Sequence, residues 1–187
     1  MLKLRIFAFA DIHSPETLHL SEIKPEKYDV ILTLGDISSE TFDYISYMAR
    51  LVKIYGVLGN HDPKEIPGLN NIHCKTVVLK DKIRLGGFGG APKYENHPNH
   101  YTEKDVARAM KKMPPVDIFI SHAPPLATSK DEDHVHKGVA AFDEYINKYS
   151  PRYWLHGHLG KNYKTKVGAT TVYGIAGWQP LVLSFNK

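Results

Sequence analysis

Five apolar runs in this chain each stop at a residue able to hold a metal ion. Leu2 to Ala10 is followed by Asp11 and His13, and Tyr28 to Leu34 by Gly35 and Asp36. Ile54 to Leu58 leads to Gly59, Asn60, His61 and Asp62, and Val116 to Ile120 leads to His122. Tyr153 to His156 ends in a histidine itself and reaches a second, His158, across Gly157. Runs this short and this apolar, bounded by turn residues, read as buried strands. If the strands are parallel neighbours, these side chains meet at one edge of a sheet. A single Asp or Asn past a strand is ordinary turn chemistry. Its recurrence after five strands is not.

The remaining segments support a strand-and-helix alternation. Further strand-like runs are Thr76 to Leu79, Ile83 to Phe88, Ala169 to Tyr173 and Leu181 to Phe185. Between the runs, Phe42, Ile45, Ala49 and Val52 fall on one helical face, as do Val106, Ala109, Met110 and Met113. Val139, Phe142, Ile146 and Tyr149 make a third. Thr102 suits a helix start, with Glu103 and Asp105 in the first turn. The pattern predicts an α/β architecture, with largely parallel strands and helices outside. Ligands in such sheets gather at the carboxyl ends of the strands. No repeat or linker divides the chain, so one domain over 1–187 is expected.

Composition excludes more than it proposes. The opening apolar stretch is broken by Lys3 and Arg5 and runs straight into Asp11, which fits a first strand rather than a signal peptide. No run approaches the roughly 20 apolar residues of a membrane span, so a soluble, cytoplasmic protein is expected. Cys74 is the only cysteine, which rules out an intrachain disulfide and a cysteine metal site. It stands in a strand-like stretch and is expected to be a buried, inert thiol. The net charge of +4 is scattered, which admits an anionic small molecule but gives no extended basic groove for nucleic acid.

The mixture of ligand types narrows the chemistry. Imidazole with carboxylate suits first-row ions such as manganese, iron, cobalt, nickel or zinc better than calcium or magnesium alone. One carboxylate can bridge two such ions about 3.5–4 Å apart, and the pair can hold a phosphate ester and acidify a water. Gly35 and Gly59 allow the sharp turns that would aim Asp36 and Asn60 inward.

In order, the motifs read Asp11-Ile12-His13, Gly35-Asp36, Gly59-Asn60-His61-Asp62, Ser121-His122 and Gly157-His158. This succession resembles the calcineurin-like metallophosphoesterases, and the match spans most of the chain. Within them, GGFGGAP, the Tyr101-to-Met113 segment and SHAPP are similar to a small single-domain branch related to cyclic-nucleotide phosphodiesterases. The resemblance implies a four-layer α/β/β/α sandwich and a metal-dependent phosphatase or phosphodiesterase with two divalent ions. By matching position, Asp11 and His13 would bind the first ion, Asn60 and His122 the second, and Asp36 would bridge. His61 would serve the leaving-group oxygen, and Asp62 would either orient it or stabilise the turn.

One motif departs. The family closes on G-H-x-H, whereas this chain reads Gly157-His158-Leu159-Gly160. Aligned on Gly157, His158 is a second-metal ligand and Gly160 stands where a first-metal histidine belongs. In a shifted register, His156 and His158 form the pair, since alternate residues of an extended segment share a face.

Other histidines are less constrained by the pattern. His97 and His100, in KYENHPNHY, are candidates for substrate contact from a polar loop. His134 and His136, in KDEDHVHKG, read first as a solvated approach to the next helix and second as a wall of the site. GGFGG, residues 86–90, lacks the Lys-Ser/Thr of a phosphate-binding P-loop and is expected to be a flexible loop ending a strand. A small-molecule phosphate ester is the expected substrate. The alternatives are a metal-dependent nuclease and a protein-binding scaffold of the same fold with weak or no catalysis, a reading that Gly160 feeds.

Overall fold

The structure, a computed structural model, describes residues 1–15, 24, 27–80, 82–129 and 133–185. In chain order its strands are β1 (Leu2–Ala10), β2 (Val30–Thr33), β3 (Ile54–Gly56), β4 (Asn70–Asn71), β5 (Lys75–Leu79), β6 (Ile83–Phe88) and β7 (Ala91–Pro92). They continue as β8 (His100–Tyr101), β9 (Ile118–Ser121), β10 (Tyr153–His156), β11 (Tyr163–Val167), β12 (Thr170–Gly174) and β13 (Gly177–Phe185). The helices are α1 (Ser39–Met48), α2 (Glu103–Met110) and α3 (Ala140–Tyr149).

Two sheets face each other. One runs β13-β1-β2-β3-β4, the other β11-β12-β10-β9-β6-β5, and β7 pairs with β8 in a small parallel ribbon. The inner strands are parallel, while β13, β11 and β5 each attach antiparallel to a neighbour. The pleat explains the layers. Along β1, Leu4, Ile6, Ala8 and Ala10 point between the sheets, while Phe7 and Phe9 point outward beneath α1. Likewise Leu85, Ile118, Ile120 and Leu155 enter the inter-sheet core, and Phe88, Phe119, Trp154 and Val172 pack under α2 and α3. Strands buried on both faces read as near-continuous apolar runs, interrupted here only where Lys3, Arg5 and Arg84 reach the surface. The result is the four-layer α/β/β/α sandwich. Among the described residues no helix is long and apolar enough to cross a membrane.

Helix ends follow local chemistry. Ser38 caps α1 and Thr102 caps α2, each accepting a hydrogen bond from the backbone N–H three residues on. Met113 and Val52 fall beyond the helices whose faces they extend. Ser150 closes α3 in the left-handed region, at φ 48°.

Two expectations fail. Cys74 is exposed rather than buried, because it occupies a left-handed turn residue (φ 56°) ahead of β5, not a strand position. GGFGG does not form a loop throughout: Gly86 to Phe88 complete β6, and only Gly89 and Gly90 lie beyond it. A side chain at Gly86 or Gly87 would press on Val116, Ile72 and Val57, so these glycines let core residues close over the strand.

Candidate metal centre

The five ligand-bearing strands are divided between the sheets. β1, β2 and β3 present their carboxyl ends from one, β9 and β10 from the other, and the two rims meet. Asp11, Asp36 and His158 all adopt positive φ, at 57°, 53° and 70°. Left-handed backbone at a residue other than glycine is uncommon and persists where its surroundings enforce it.

Hydrogen bonds supply that enforcement. The Asp62 carboxylate accepts from the backbone N–H of Asp36 at 2.8 Å, Ile37 at 2.9 Å and Gly59 at 2.7 Å. It thereby joins the turn after β2 to the turn after β3. Asp36 Oδ1 accepts from the N–H of His61 at 2.8 Å, and Asp11 Oδ1 accepts from the N–H of His158 at 3.0 Å, linking the two sheets. Gly35, at φ 92°, tolerates the turn, and a Cβ there would lie 2.6 Å from His122 Nδ1. At Gly59 the need is close approach instead: a Cβ would meet the Asp36 carboxylate.

Within this frame the lone pairs converge. His122 Nδ1 lies 2.8 Å from the carbonyl of Leu34, which can only accept, so Nδ1 carries a proton, and Nε2 faces inward, protonated when the ring is charged and offering a lone pair when it is neutral. Nε2 then meets two further acceptors, Asn60 Oδ1 at 2.9 Å and Asp36 Oδ2 at 3.3 Å. Three acceptors so placed repel one another unless a positive charge lies among them. Asp11 Oδ2 is buried and has no hydrogen-bond partner, and ligand atoms of Asp11, Asp36 and His122 all fall within 4.8 Å of one another. His158 donates Nε2–H to the Val135 carbonyl at 2.9 Å, which leaves Nδ1 with its lone pair. Imidazoles that ligate metals are oriented in this way by an acceptor on the other nitrogen. These residues fit a divalent cation.

The electrostatics agree. Burial pushes the Asp11 and Asp62 carboxyls up. Burial acts on Asp36 too, but the charge and hydrogen bond of His122, with the His61 N–H, carry it well below the ordinary range. Burial alone would depress His122, yet Asp36 and then Asp11 hold it up at about 9. The proton on His122 is the positive charge the cluster requires. Burial and the His122 charge push His158 down to about 3, so it is a neutral imidazole at pH 7.

The structure does not bring every expected ligand together. His13 and His61 stand exposed at the mouth, their rings 6.2 Å apart. His156 is fully buried away from the cleft. It donates Nδ1–H to the Gly157 carbonyl at 2.8 Å and accepts at Nε2 from the Tyr163 hydroxyl at 2.6 Å, so both nitrogens are used within the fold. Burial pushes it down to about 4. Of His156 and His158 only His158 lines the cleft, because the strand ends at His156 and the chain turns before His158. Asp62, whose carboxylate serves three backbone donors, takes the turn-stabilising arrangement rather than reaching His61.

His97 and His100 pack beside Tyr94, with ring centroids of His100 4.4 Å from Tyr94 and 5.3 Å from His97. Tyr94 is a residue that sequence reasoning misses: its hydroxyl accepts from Asn60 Nδ2 at 3.1 Å and so turns Asn60 Oδ1 towards His122. No motif spacing marks it. His136 lines the same cleft as Asp11, His13, Asp36, Asn60 and His158, the wall position held second for it. The cleft measures about 270 Å³. A larger groove, about 630 Å³, lies at the opposite strand ends around Lys82, Arg84 and Arg152 and, among the described residues, gathers no such ligand set.

A family model described as calcineurin-like phosphoesterase matches residues 4–162. Solved structures with a similar fold include TT1561 of Thermus thermophilus, at 17% identity and TM-score 0.68 over 94% of this chain and 90% of that one. The phosphopantetheinyl hydrolase of Mycobacterium tuberculosis aligns at 13% identity and TM-score 0.61, over 92% of this chain and 89% of that one. Vps29 of Entamoeba histolytica, complexed with zinc, aligns at 15% identity and TM-score 0.50, over 93% and 74% respectively. At such identities the likeness is one of fold. None of the curated proteins matches the chain.

The frame and its charge can each be measured. Asp62→Ala strands three buried N–H donors, each costing about 1–3 kcal/mol when unsatisfied, so stability in chelator should fall by about 3 kcal/mol or more in urea denaturation. A residue that merely oriented His61 would leave it unchanged. His122 is raised from 6.5 to about 9 in the folded chain. Its contribution is thus complete below pH 6.5 and is lost as pH climbs through 9. Melting temperatures measured in chelator should decline over that window, and saturating divalent metal should flatten the decline.

Proposed function

The chain belongs to the calcineurin-like phosphoesterase family, and on that premise we propose that it hydrolyses phosphate mono- or diesters of a small molecule at a dinuclear metal centre. Asp11 and His13 would hold the first ion, Asn60, His122 and His158 would hold the second, and Asp36 would be shared between them. The observation that carries the reading is the buried meeting of acceptors, with Asp11 Oδ2 unpartnered and His122 Nε2 aimed at Asn60 and Asp36. Bound there, paired divalent ions of manganese, iron, nickel, cobalt or zinc would hold phosphate oxygens and acidify a water between them.

The chain's own residues do the rest. The Leu34 and Val135 carbonyls fix the tautomers of His122 and His158, so each presents a lone pair. Tyr94 holds the Asn60 amide with its oxygen inward. His61, exposed at the mouth beside His13, supplies a proton to the departing oxygen of the ester. Its backbone N–H is fixed on Asp36, which ties the acid to the bridging carboxylate. His97 and His100 pack beside Tyr94 rather than lining the cleft, so only a substrate reaching past Tyr94 would meet them. A cleft of about 270 Å³ suits a small ester better than a polymer.

The second reading, a binding scaffold with weak catalysis, draws on Gly160. That residue stands where the family pattern places a first-metal histidine.

Hydrolysis of an activated phosphate ester should vanish in chelator and return best with manganese, nickel or cobalt. His61→Ala should lower turnover by roughly 100-fold while elemental analysis finds the metal content unchanged. Two bound ions with no turnover on any mono- or diester would favour the scaffold.

A further inference from the structure

Gly160 leaves a gap that another part of the chain faces. It sits at φ 58° with nothing within 4 Å of where a Cβ would stand, and it lines the cleft with Asp11, His13 and Asp36. Across the same cleft lies His136, its ring centroid 5.3 Å from that of His158. We propose that His136 is a metal ligand of this centre, supplied by the turn before α3 in place of the histidine absent at Gly160, with Asp133 as the residue that orients it. The proposal rests on the dinuclear reading above and adds a ligand that the motif pattern does not contain.

The turn is built for the purpose. His136 Nδ1 lies 3.0 Å from both carboxylate oxygens of Asp133. A carboxylate only accepts, so the proton resides on Nδ1 and Nε2 keeps its lone pair. This carboxylate–histidine arrangement is the one that fixes a metal-ligating imidazole and raises its basicity. The same Asp133 oxygen Oδ1 accepts from the backbone N–H of Val135 at 2.9 Å and His136 at 3.0 Å, and the Asp133 carbonyl accepts from Lys137 N–H at 2.8 Å. Four donors therefore hold the ring and its backbone to one residue. Val135 then accepts from His158 Nε2, so the turn is tied to a second imidazole of the centre. Gly138 closes the far side, where a Cβ would strike the Ser129 hydroxyl and the Pro125 carbonyl.

The neighbouring His134 is exposed and does not line the cleft, although it is two residues away in the same charged run.

The test is calorimetric titration of metal-free protein with Mn²⁺ alone, repeated with Co²⁺ and read by its visible absorption. His136→Ala should weaken one of two ions at least tenfold and change the cobalt spectrum. Asp133→Asn should weaken the same ion by a smaller factor, within the roughly 10–100-fold range of an orienting partner. His134→Ala should match the wild type. If His136→Ala binds both ions as the wild type does, with an unaltered spectrum, the assignment is overturned, and a raised KM for the ester would make His136 a substrate contact instead. A wild type that takes up one ion would sink the dinuclear reading separately. Even then, unchanged affinity for that ion in His136→Ala would overturn the ligand assignment.

Discussion

The Asp62 carboxylate gathers three backbone N–H groups from two different turns, and the geometry of the rim follows from that gathering. Asp36 is held left-handed, its carboxylate swung towards His122, because its own N–H is committed to Asp62. Gly59 must be a glycine because the clamp draws its turn onto the Asp36 side chain. Burial pushes this carboxyl up, and the N–H groups of Gly59 and Asp36 oppose that shift. The residue that looks most like a participant in chemistry, next to His61 in the motif, is occupied by architecture.

Around that clamp, the protein concentrates negative charge that it does not neutralise with lysine or arginine. Asp11 and Asp36 lie with His122 in one buried group, and among the described residues no Lys or Arg forms an ion pair with either. An isolated buried carboxylate is costly. His122 meets part of that cost by taking up a proton, and a divalent ion would meet it more fully. Asp11, Asp36 and His122 thus form a candidate site for a divalent cation.

Much of this was legible in the sequence, for a definite reason. Strands buried on both faces for most of their length leave a largely apolar signature, so β1, despite Lys3 and Arg5, β6, despite Arg84, and β10 announced themselves with boundaries correct to the residue. Their ends, with those of β2, β3 and β9, named Asp11, Asp36, Asn60, His122 and His158. β11 did not announce itself: Tyr163–Val167 sits at a sheet edge and exposes Lys164, Thr165 and Lys166. Tyr94 and His136 come from loops, where position is set by tertiary contacts that leave no period to read. His156 misled for the opposite reason. Its spacing from His158 is that of one strand face, but the strand has already ended.

The division of the ligands between two sheets has one more consequence. On the proposed assignment, an ion held by Asp36 and Asn60 on one side and His122 and His158 on the other would span the sandwich at its rim. It cannot stay bound once the layers part, and the layers cannot part while it stays. Metal occupancy would then act as a rivet, since a ligand at about 100 times its dissociation constant stabilises the folded chain by about 2.7 kcal/mol. Starvation for the metal would register first as a shorter lifetime of the folded chain, and so as a fall in its abundance.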